Sequence, residues 1–175
     1  MAPKPAVPAR RQQQQAKNMR GKRVTKKLLP ADPMYGNRLL TRFINRVMMN
    51  GKKQVAERVV YKALDIIKEK GEDPIKIFEL AMNTVGPKMK VRPRRVGGAS
   101  YQVPSEVRGD RRVALASRWI IGFAHKRSNK EYKTYSDKLA AEFMDAAKGI
   151  GEAIKKRDAM HRMAEANRAF AHFKW

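Results

Sequence analysis

Apolar residues recur at helical spacing through most of the chain beyond residue 28. In the first such stretch they return every three or four positions: Leu39, Leu40, Phe43, Ile44, Val47 and Met48. This period is that of a helix with one buried face. Asn37 before the stretch and Gly51 after it are typical start and stop signals. The same period and comparable signals predict six helices, at about 37–50, 53–70, 74–85, 110–127, 135–148 and 151–169.

One segment follows a different period. Residues 89–104 read MKVRPRRVGGASYQVP, in which apolar and polar positions alternate on both sides of two glycines. Period-two alternation around such a glycine pair predicts a β-hairpin. Because proline is confined to edge strands, the two strands should form an isolated arm at about 88–108. A lone two-stranded hairpin is marginally stable in water, so the arm needs support from the helices at its base or from a partner bound at its tip.

The predicted fold class is therefore mainly α: a six-helix, bundle-like domain with a protruding two-stranded β-hairpin arm. Residues 1–27 differ from the rest, since they carry nine basic residues, no acidic residue, several prolines and a run of four glutamines. Such a composition buries too little apolar area to fold alone. We expect a disordered basic tail at 1–27 and a single helical domain at 28–175.

The net charge of the chain narrows the range of functions to consider. The chain has 40 Lys and Arg against 16 Asp and Glu, a formal net charge of +24. An excess of this size is typical of proteins that neutralise phosphates. A membrane-surface role would favour one amphipathic helix presented alone, whereas here the apolar faces recur in successive helices, as a shared core requires. The longest apolar run, 119–124, is too short to cross a bilayer, and the start of the chain lacks the apolar stretch of a signal peptide. We expect no membrane partner.

The positive charge is concentrated in particular elements. No acidic residue occurs between Leu80 and Ser105, the segment that contains the arm. Arg38, Arg42 and Arg46 recur every four positions, nearly opposite the apolar face of the first helix, and predict a phosphate-facing row. A merely solvated face would normally include glutamate. The second and third helices hold six acids and are expected to face solvent or another protein: Glu57, Asp65, Glu69, Glu72, Asp73 and Glu79.

The sequence shows no combination of residues that is typical of a catalytic site. The chain has no cysteine, its three histidines are scattered, and no pair of carboxylates lies in an apolar setting. The glycines of the arm lack the lysine ending and the following helix of a phosphate-binding loop. We expect no enzyme, no cofactor, no metal and no small-molecule substrate. An RNA-modifying enzyme would need an acid or metal cluster that the sequence does not suggest.

Three ordered segments resemble one family. Residues 33–64, 91–119 and 155–175 are similar to the bacterial-type small-subunit ribosomal protein number seven, and the resemblance covers roughly 28–175. It implies six helices with a protruding hairpin, and a primary rRNA-binding protein that nucleates the head, the 3′ major domain, of the small subunit. It also implies an arm that reaches exit-site tRNA and the mRNA channel, neighbouring proteins of head and platform, and a cytoplasmic ribosome, with an organellar one as the alternative.

The resemblance also implies site residues, and the group is more secure than any member, since a single exposed cation can simply be solvated. The expected rRNA contacts are Lys22, Arg23, Lys26, Lys27, Arg38, Arg42, Lys52, Lys53, Arg92, Arg94, Arg108, Arg111, Arg112 and Arg118. The positions expected near tRNA and mRNA are Arg94, Arg95, Val96, Gly97, Gly98, Ser100, Tyr101, Lys155, Lys156 and Arg157. Tyr101 either stacks on an unpaired base or supports the hairpin. The terminal AFAHFKW is expected to be contact surface more than core.

The kind of nucleic acid is only partly decided by physical argument. Several separate basic surfaces suit a folded RNA better than a duplex groove, and no recognition helix of the helix-turn-helix type is evident. A nucleoid-type DNA-binding protein stays the alternative, and it would bind duplex DNA without preferring rRNA. The twenty or so residues at the front and the loop 128–134 depart from the family pattern, which leaves their contacts open.

Overall fold

The computed structural model describes residues 28–173. From Ala31 onward the described residues belong to one compact unit. The predicted tail at 1–27, with Lys22, Arg23, Lys26 and Lys27, lies outside the described residues, as do the last two residues of AFAHFKW. The expected boundary between tail and domain stays a prediction.

Six α helices, one hairpin and one 3-10 helix occupy residues 28–173, which confirms the predicted mainly α fold. In chain order they are α1 (Arg38–Val47), α2 (Lys53–Glu69), α3 (Pro74–Val85), β1 (Met89–Val96), β2 (Ala99–Glu106), α4 (Gly109–Lys126), α5 (Tyr135–Ala147), α6 (Glu152–Ala166) and the 3-10 helix (Arg168–Phe173).

Local capping explains the helix starts that the sequence predicts well. The Asn37 side chain accepts the backbone N–H groups of Leu39 and Leu40 at 2.8 and 3.4 Å. Asp73 accepts two backbone N–H groups at the start of α3 in the same way, with a proline at the first helical position. Thr134 and Asp137 form a reciprocal capping box at α5. Each cap satisfies amide groups that the first turn leaves without partners.

Three predicted boundaries are wrong. α1 ends at Val47 instead of about residue 50, because Met48 is extended and Asn50 takes a positive φ of 52°. The last helix ends at Ala166, where the chain tightens into the 3-10 helix. Asp110 does not cap α4: Arg108 holds the cap position, and the Asp110 carboxylate lies in the first turn and binds Arg42 instead.

Three phenylalanines form the centre of the core. Phe43 of α1, Phe78 of α3 and Phe143 of α5 are fully buried, with ring centroids 5.3 to 5.5 Å apart. Tilted and edge-on pairs of this kind are the favoured aromatic arrangement. α5 packs against α2, α3 and α4 and is buried along most of its length. The helices thereby form a closely packed base for the arm.

The hairpin has the turn that its glycines predict. Val96 pairs with Ala99, leaving Gly97 and Gly98 as a two-residue loop with φ of 56° and 89°. Two positive φ values define the hairpin turn whose twist matches that of the strands, and glycine adopts them without steric cost. The strands pair antiparallel from Met89↔Glu106 to the tip, and β1 and β2 make the only sheet among the described residues.

Candidate nucleic-acid interface

One face of the arm carries a row of cations. Lys90, Arg92 and Arg94 alternate along β1 and therefore project to the same side. Alternate strand residues lie about 6.6 Å apart, comparable to successive phosphates of an extended nucleic-acid strand. Glu106, the one acid of the arm, pairs with Met89 and projects to the other side. We call Lys90, Arg92 and Arg94 the arm row; this face can meet a polyanion without repulsion from a carboxylate of the arm.

The arm row continues onto α4 at its base. Burial lowers the pKa of Lys90, and the positive charges of Arg111 and Arg92 lower that pKa further. Arg111 is exposed in the first turn of α4. Three cations held close to one another repel, and a bound anion would relieve that repulsion.

The tip of the arm is open. Arg95, Gly97, Gly98 and Ser100 are exposed, and Val96 is half-buried. A Cβ added at either glycine would touch no atom within 4 Å, so these glycines serve the backbone conformation and do not make room for a neighbour. The structure thus brings the tip residues predicted to lie near tRNA and mRNA together.

Tyr101 packs against its own chain. Its ring centroid lies 5.2 Å from those of Phe170 and of Phe173, both in the 3-10 helix. Of the two alternatives that the sequence left open for Tyr101, this contact favours support of the hairpin. Part of the C-terminal segment, expected to be contact surface, therefore packs on the arm.

The predicted basic cluster of α6 divides into two kinds of residue. Lys155 and Lys156 are exposed, and Lys155 pairs with Glu152 at 2.7 Å. Arg157 is half-buried and donates to the carbonyl of Thr84 at the end of α3, 2.8 Å away. It also pairs with its neighbour Asp158. Arg157 therefore ties α6 to α3, while the two lysines remain available to a partner.

The arginine row of α1 is exposed as predicted, but it is not free of carboxylates. Arg42 Nη1 lies 2.6 Å from Asp110 Oδ1, and Arg46 donates to the carbonyl of Ala114 at 2.9 Å. Both contacts reach α4, 68 residues away in the chain. The Arg42 side chain is still 43% exposed, and such an exposed ion pair contributes only about 0–1 kcal/mol. Arg42 can therefore exchange Asp110 for a phosphate.

The remaining rRNA candidates are spread over three places. Lys52 and Lys53 are exposed at the turn into α2, with Lys53 3.5 Å from Glu57. Arg108 is exposed at the root of the arm and pairs with Glu106. Arg118 is exposed on α4, like Arg111. The structure places these cations on several surfaces instead of a single groove.

Arg112 differs from the other candidates of α4, because it closes the C-terminal end of α3. Its Nε donates to the Gly86 carbonyl at 3.1 Å, and its Nη2 donates to the Asn83 carbonyl at 2.9 Å. A Cβ at residue 86 would lie 2.7 Å from that Nε, so the close approach requires glycine. A cation at the C-terminal end of a helix is also attracted to the negative end of the helix dipole. Arg112 therefore contributes to the fold whatever else it binds.

The acidic helices share packing with helices that carry basic residues, since α2 packs against α1 and α3 packs against α4. α2 and α3 pack against α5, whereas the arm packs against α6 and the 3-10 helix. On α2 and α3 the side chains of Asp65, Glu69 and Glu79 are exposed. This distribution agrees with the expectation that α2 and α3 face solvent or another protein.

A buried polar cluster was missed by the sequence reasoning. Arg127 donates to Glu142 at 2.8 Å and to Asp145 at 2.5 Å. Lys138 donates to the Arg127 carbonyl and to Asn129 at 2.7 and 2.5 Å. Burial raises the pKa of Glu142, and Arg127 opposes that effect. The cluster fastens the loop 128–134 to α5, and no sequence motif marks it because its partners lie 9 to 18 residues apart.

His161 is a structural acceptor. Its Nε2 accepts the backbone N–H of Lys88, at the root of the arm, at 2.9 Å. Burial lowers the pKa of His161, and the charge of Arg157 lowers that pKa further, which favours the neutral ring that such an acceptor requires. Among residues 28–173 no group of three acidic or histidine side chains could hold a metal ion. Within the same part of the chain, no helix has the length and hydropathy needed to cross a bilayer.

A packed helical body, an arm with an acid-free cationic face and further cations on separate elements together define a structural nucleic-acid-binding protein. The family model of ribosomal protein S7p/S5e matches residues 19–168. The chain therefore belongs to this family, whose members are structural, non-enzymatic components of the ribosome. The resemblance seen in the three segments is confirmed.

Relatives from several bacteria are similar over most of this chain. The small ribosomal subunit protein uS7 of Thermomicrobium roseum is 56% identical over 86% of this chain and 95% of its own length. The protein of the same name from Carboxydothermus hydrogenoformans is 54% identical over 87% and 96%. That of Pelotomaculum thermopropionicum is 54% identical over 89% and 98%.

Proposed function

We propose that this chain is a primary rRNA-binding protein that nucleates the head of the small ribosomal subunit. Family membership already gives it a structural role in the ribosome, with rRNA and ribosomal proteins as partners. The relatives also indicate a ribosome-associated, cytoplasmic protein. The observation that carries the finer proposal is the arm row of Lys90, Arg92 and Arg94, with Arg111 beside it and the one acid of the arm on the opposite side.

The rRNA contacts are proposed to lie on three separate elements. They are the arginine row of α1 with the following turn, the arm row, and the exposed cations of α4. Separate cationic surfaces can meet several helices of a folded RNA at once, which a single groove-sized stripe cannot do. A protein that joins several RNA helices in this way favours their folding, since it binds the folded arrangement more tightly than the open one.

The open tip of the arm is proposed to line the tRNA exit site and the mRNA channel. Arg95 and the tip from Val96 to Ser100 extend beyond Tyr101, whose ring packs on the 3-10 helix, and Arg94 lies directly opposite Tyr101 in the register. Lys155 and Lys156 of α6 are exposed and are proposed to lie toward tRNA and the neighbouring platform protein. Tyr101 would then support the arm and Arg157 would hold α6 against α3, and neither would be a main contact to tRNA or mRNA.

The experiment reverses the charge of the arm tip in ribosomes. With Arg94→Glu and Arg95→Glu, we expect head assembly to continue while exit-site tRNA occupancy or reading-frame fidelity declines. The matched control carries Lys68→Glu and Lys76→Glu on α2 and α3, which makes the same change in net charge on exposed residues. We expect the control to leave both properties close to those of the wild type.

The opposite pattern would contradict the proposal for the tip. If head assembly failed while tRNA handling stayed normal in the surviving particles, the tip would be an assembly contact and would not line the exit site.

A further inference from the structure

The arm is held by the C-terminal part of the chain at two places. α6 packs on β1, and the 3-10 helix packs on β2. At the root, His161 accepts the backbone N–H of Lys88 at 2.9 Å. Nearer the tip, Tyr101 packs against both Phe170 and Phe173, with ring centroids 5.2 Å away in both cases.

This support has a clear physical need. A two-stranded hairpin is marginal in water when nothing packs on it. Here Val103 and Pro104 of β2 are buried, although they belong to a protruding arm. Pro104 lines an apolar groove together with His161, Ala164 and Ala171, so the C-terminal elements lie next to this part of the strand.

We propose that α6 and the 3-10 helix form a splint that fixes the direction of the arm. Tyr101, Phe170 and Phe173 are then positioning residues for RNA binding. An arm that is already held in its bound direction loses less conformational freedom on binding, so the affinity is higher for the same contacts. The proposal rests on the proposed function in one respect, because it takes the arm row to contact RNA.

The competing explanation is that the C-terminal rings themselves stack on RNA bases. Exposed aromatic rings do bind unpaired bases in this way. Phe170 and Phe173 are half-buried, however, and both rings already face Tyr101 of the same chain. The splint therefore predicts that these rings act through the arm, whereas base stacking predicts that they act independently of it.

A double-mutant cycle separates the two explanations. The full chain would carry Phe170→Ala with Phe173→Ala, or Arg92→Gln with Arg94→Gln, or all four changes, and the probe would be a transcript of the rRNA 3′ major domain. We expect the alanine pair to weaken binding by about tenfold in the wild-type background, as for the loss of about 1.4 kcal/mol. We expect it to have almost no further effect once the arm arginines are changed, because the rings act only through the arm and the two pairs of changes are then non-additive.

Leucine provides a matched rescue. Phe170→Leu with Phe173→Leu keeps apolar packing against Tyr101 but removes the ring faces that a base would need. The splint predicts that leucine restores most of the affinity that the alanine pair removes. Additive effects in the cycle, together with no rescue by leucine, would overturn the splint and identify the rings as RNA contacts.

Hydrogen exchange tests the splint without RNA. In the alanine variant we expect faster amide exchange at residues 89–106 and unchanged exchange in α1 to α5. Unchanged exchange in the arm would overturn the splint, as would uniformly faster exchange, which would indicate a general loss of stability. If Arg92→Gln with Arg94→Gln left RNA affinity unchanged, the proposed role of the arm row would fail, and the exchange experiment would still decide whether the splint exists.

Discussion

At the scale of single residues, arginine has two roles that composition cannot tell apart. Arg112, Arg127 and Arg157 all donate to carbonyls or carboxylates of the same chain. Arg38, Arg111 and Arg118 are exposed on their helices. The guanidinium group suits both roles, because its donors fit carboxylates, carbonyls and phosphates. Only the tertiary partners reveal which arginines stabilise the protein, and those partners lie 15 to 73 residues away.

Arg127 offers the sharpest test at this scale. Its side chain is 17% exposed, and that of its partner Glu142 is 2% exposed. Arg127→Met would leave the Glu142 carboxylate buried without its cation. Breaking a buried pair on one side costs about 3–5 kcal/mol, and we expect a loss of that order in the free energy of unfolding, measured by urea denaturation at pH 7.

The matched control is an exposed pair on α6. Lys155 and Glu152 lie 2.7 Å apart, but their side chains are 74% and 62% exposed. For Lys155→Met we expect a change of less than about 1 kcal/mol. Equal effects of the two substitutions would mean that the cluster at Arg127 does not fasten the loop 128–134.

At the scale of elements, local sequence signals were sufficient for α3 and for the turn of the hairpin. The bounds of α3 agree with the prediction, since Asp73, Pro74 and Gly86 act within a few residues of the helix. The turn of the hairpin agrees as well, because two adjacent glycines allow the positive φ values that it needs. Two of the three failures have distant causes. Asp110 binds Arg42 instead of capping α4, and the last helix gives way to a 3-10 turn whose phenylalanines pack on Tyr101.

The arginine row of α1 provides the prediction at this scale. Arg38→Gln, Arg42→Gln and Arg46→Gln together should weaken binding to the rRNA domain while circular dichroism stays unchanged. The slope of log K against log salt should decrease by about 0.7–0.9 for each phosphate that the variant no longer neutralises. Titrations at several salt concentrations measure both quantities.

A second triple variant separates the effect of where the charges lie from the effect of how many charges are removed. Lys62→Gln, Lys68→Gln and Lys76→Gln remove the same three charges from exposed residues of α2 and α3. We expect this variant to bind nearly as tightly as the wild type. If the two triple variants weakened binding equally, or if neither did, the arginine row would be no more than a solvated face.

At the scale of the whole molecule, the charge of +24 is unevenly placed. The arm, α1 and α4 carry exposed cations and only two acids, Glu106 and Asp110, whereas in α2, α3 and the turn that joins them exposed lysines are mixed with six of the sixteen acids, from Glu57 to Glu79. The fold class and the basic elements could be predicted from the sequence, because the apolar spacing and the clusters of basic residues recur along the chain. Individual RNA contacts could not, since each depends on where folding places a side chain and on the shape of the RNA. The splint is a further example: nothing in the sequence near Tyr101 indicates Phe170.

The central claim is that the basic residues are arranged to bind one folded RNA, the 3′ major domain of small-subunit rRNA. The most direct measurement is binding of the full chain to the isolated 3′ major domain of small-subunit rRNA at near-physiological salt, with excess duplex DNA and an unrelated structured RNA as competitors. Specific recognition predicts that nanomolar-range binding survives both competitors, because non-specific binding at such salt is typically weaker by several orders of magnitude. Complete displacement by duplex DNA would contradict the claim, since the charge would then be generic.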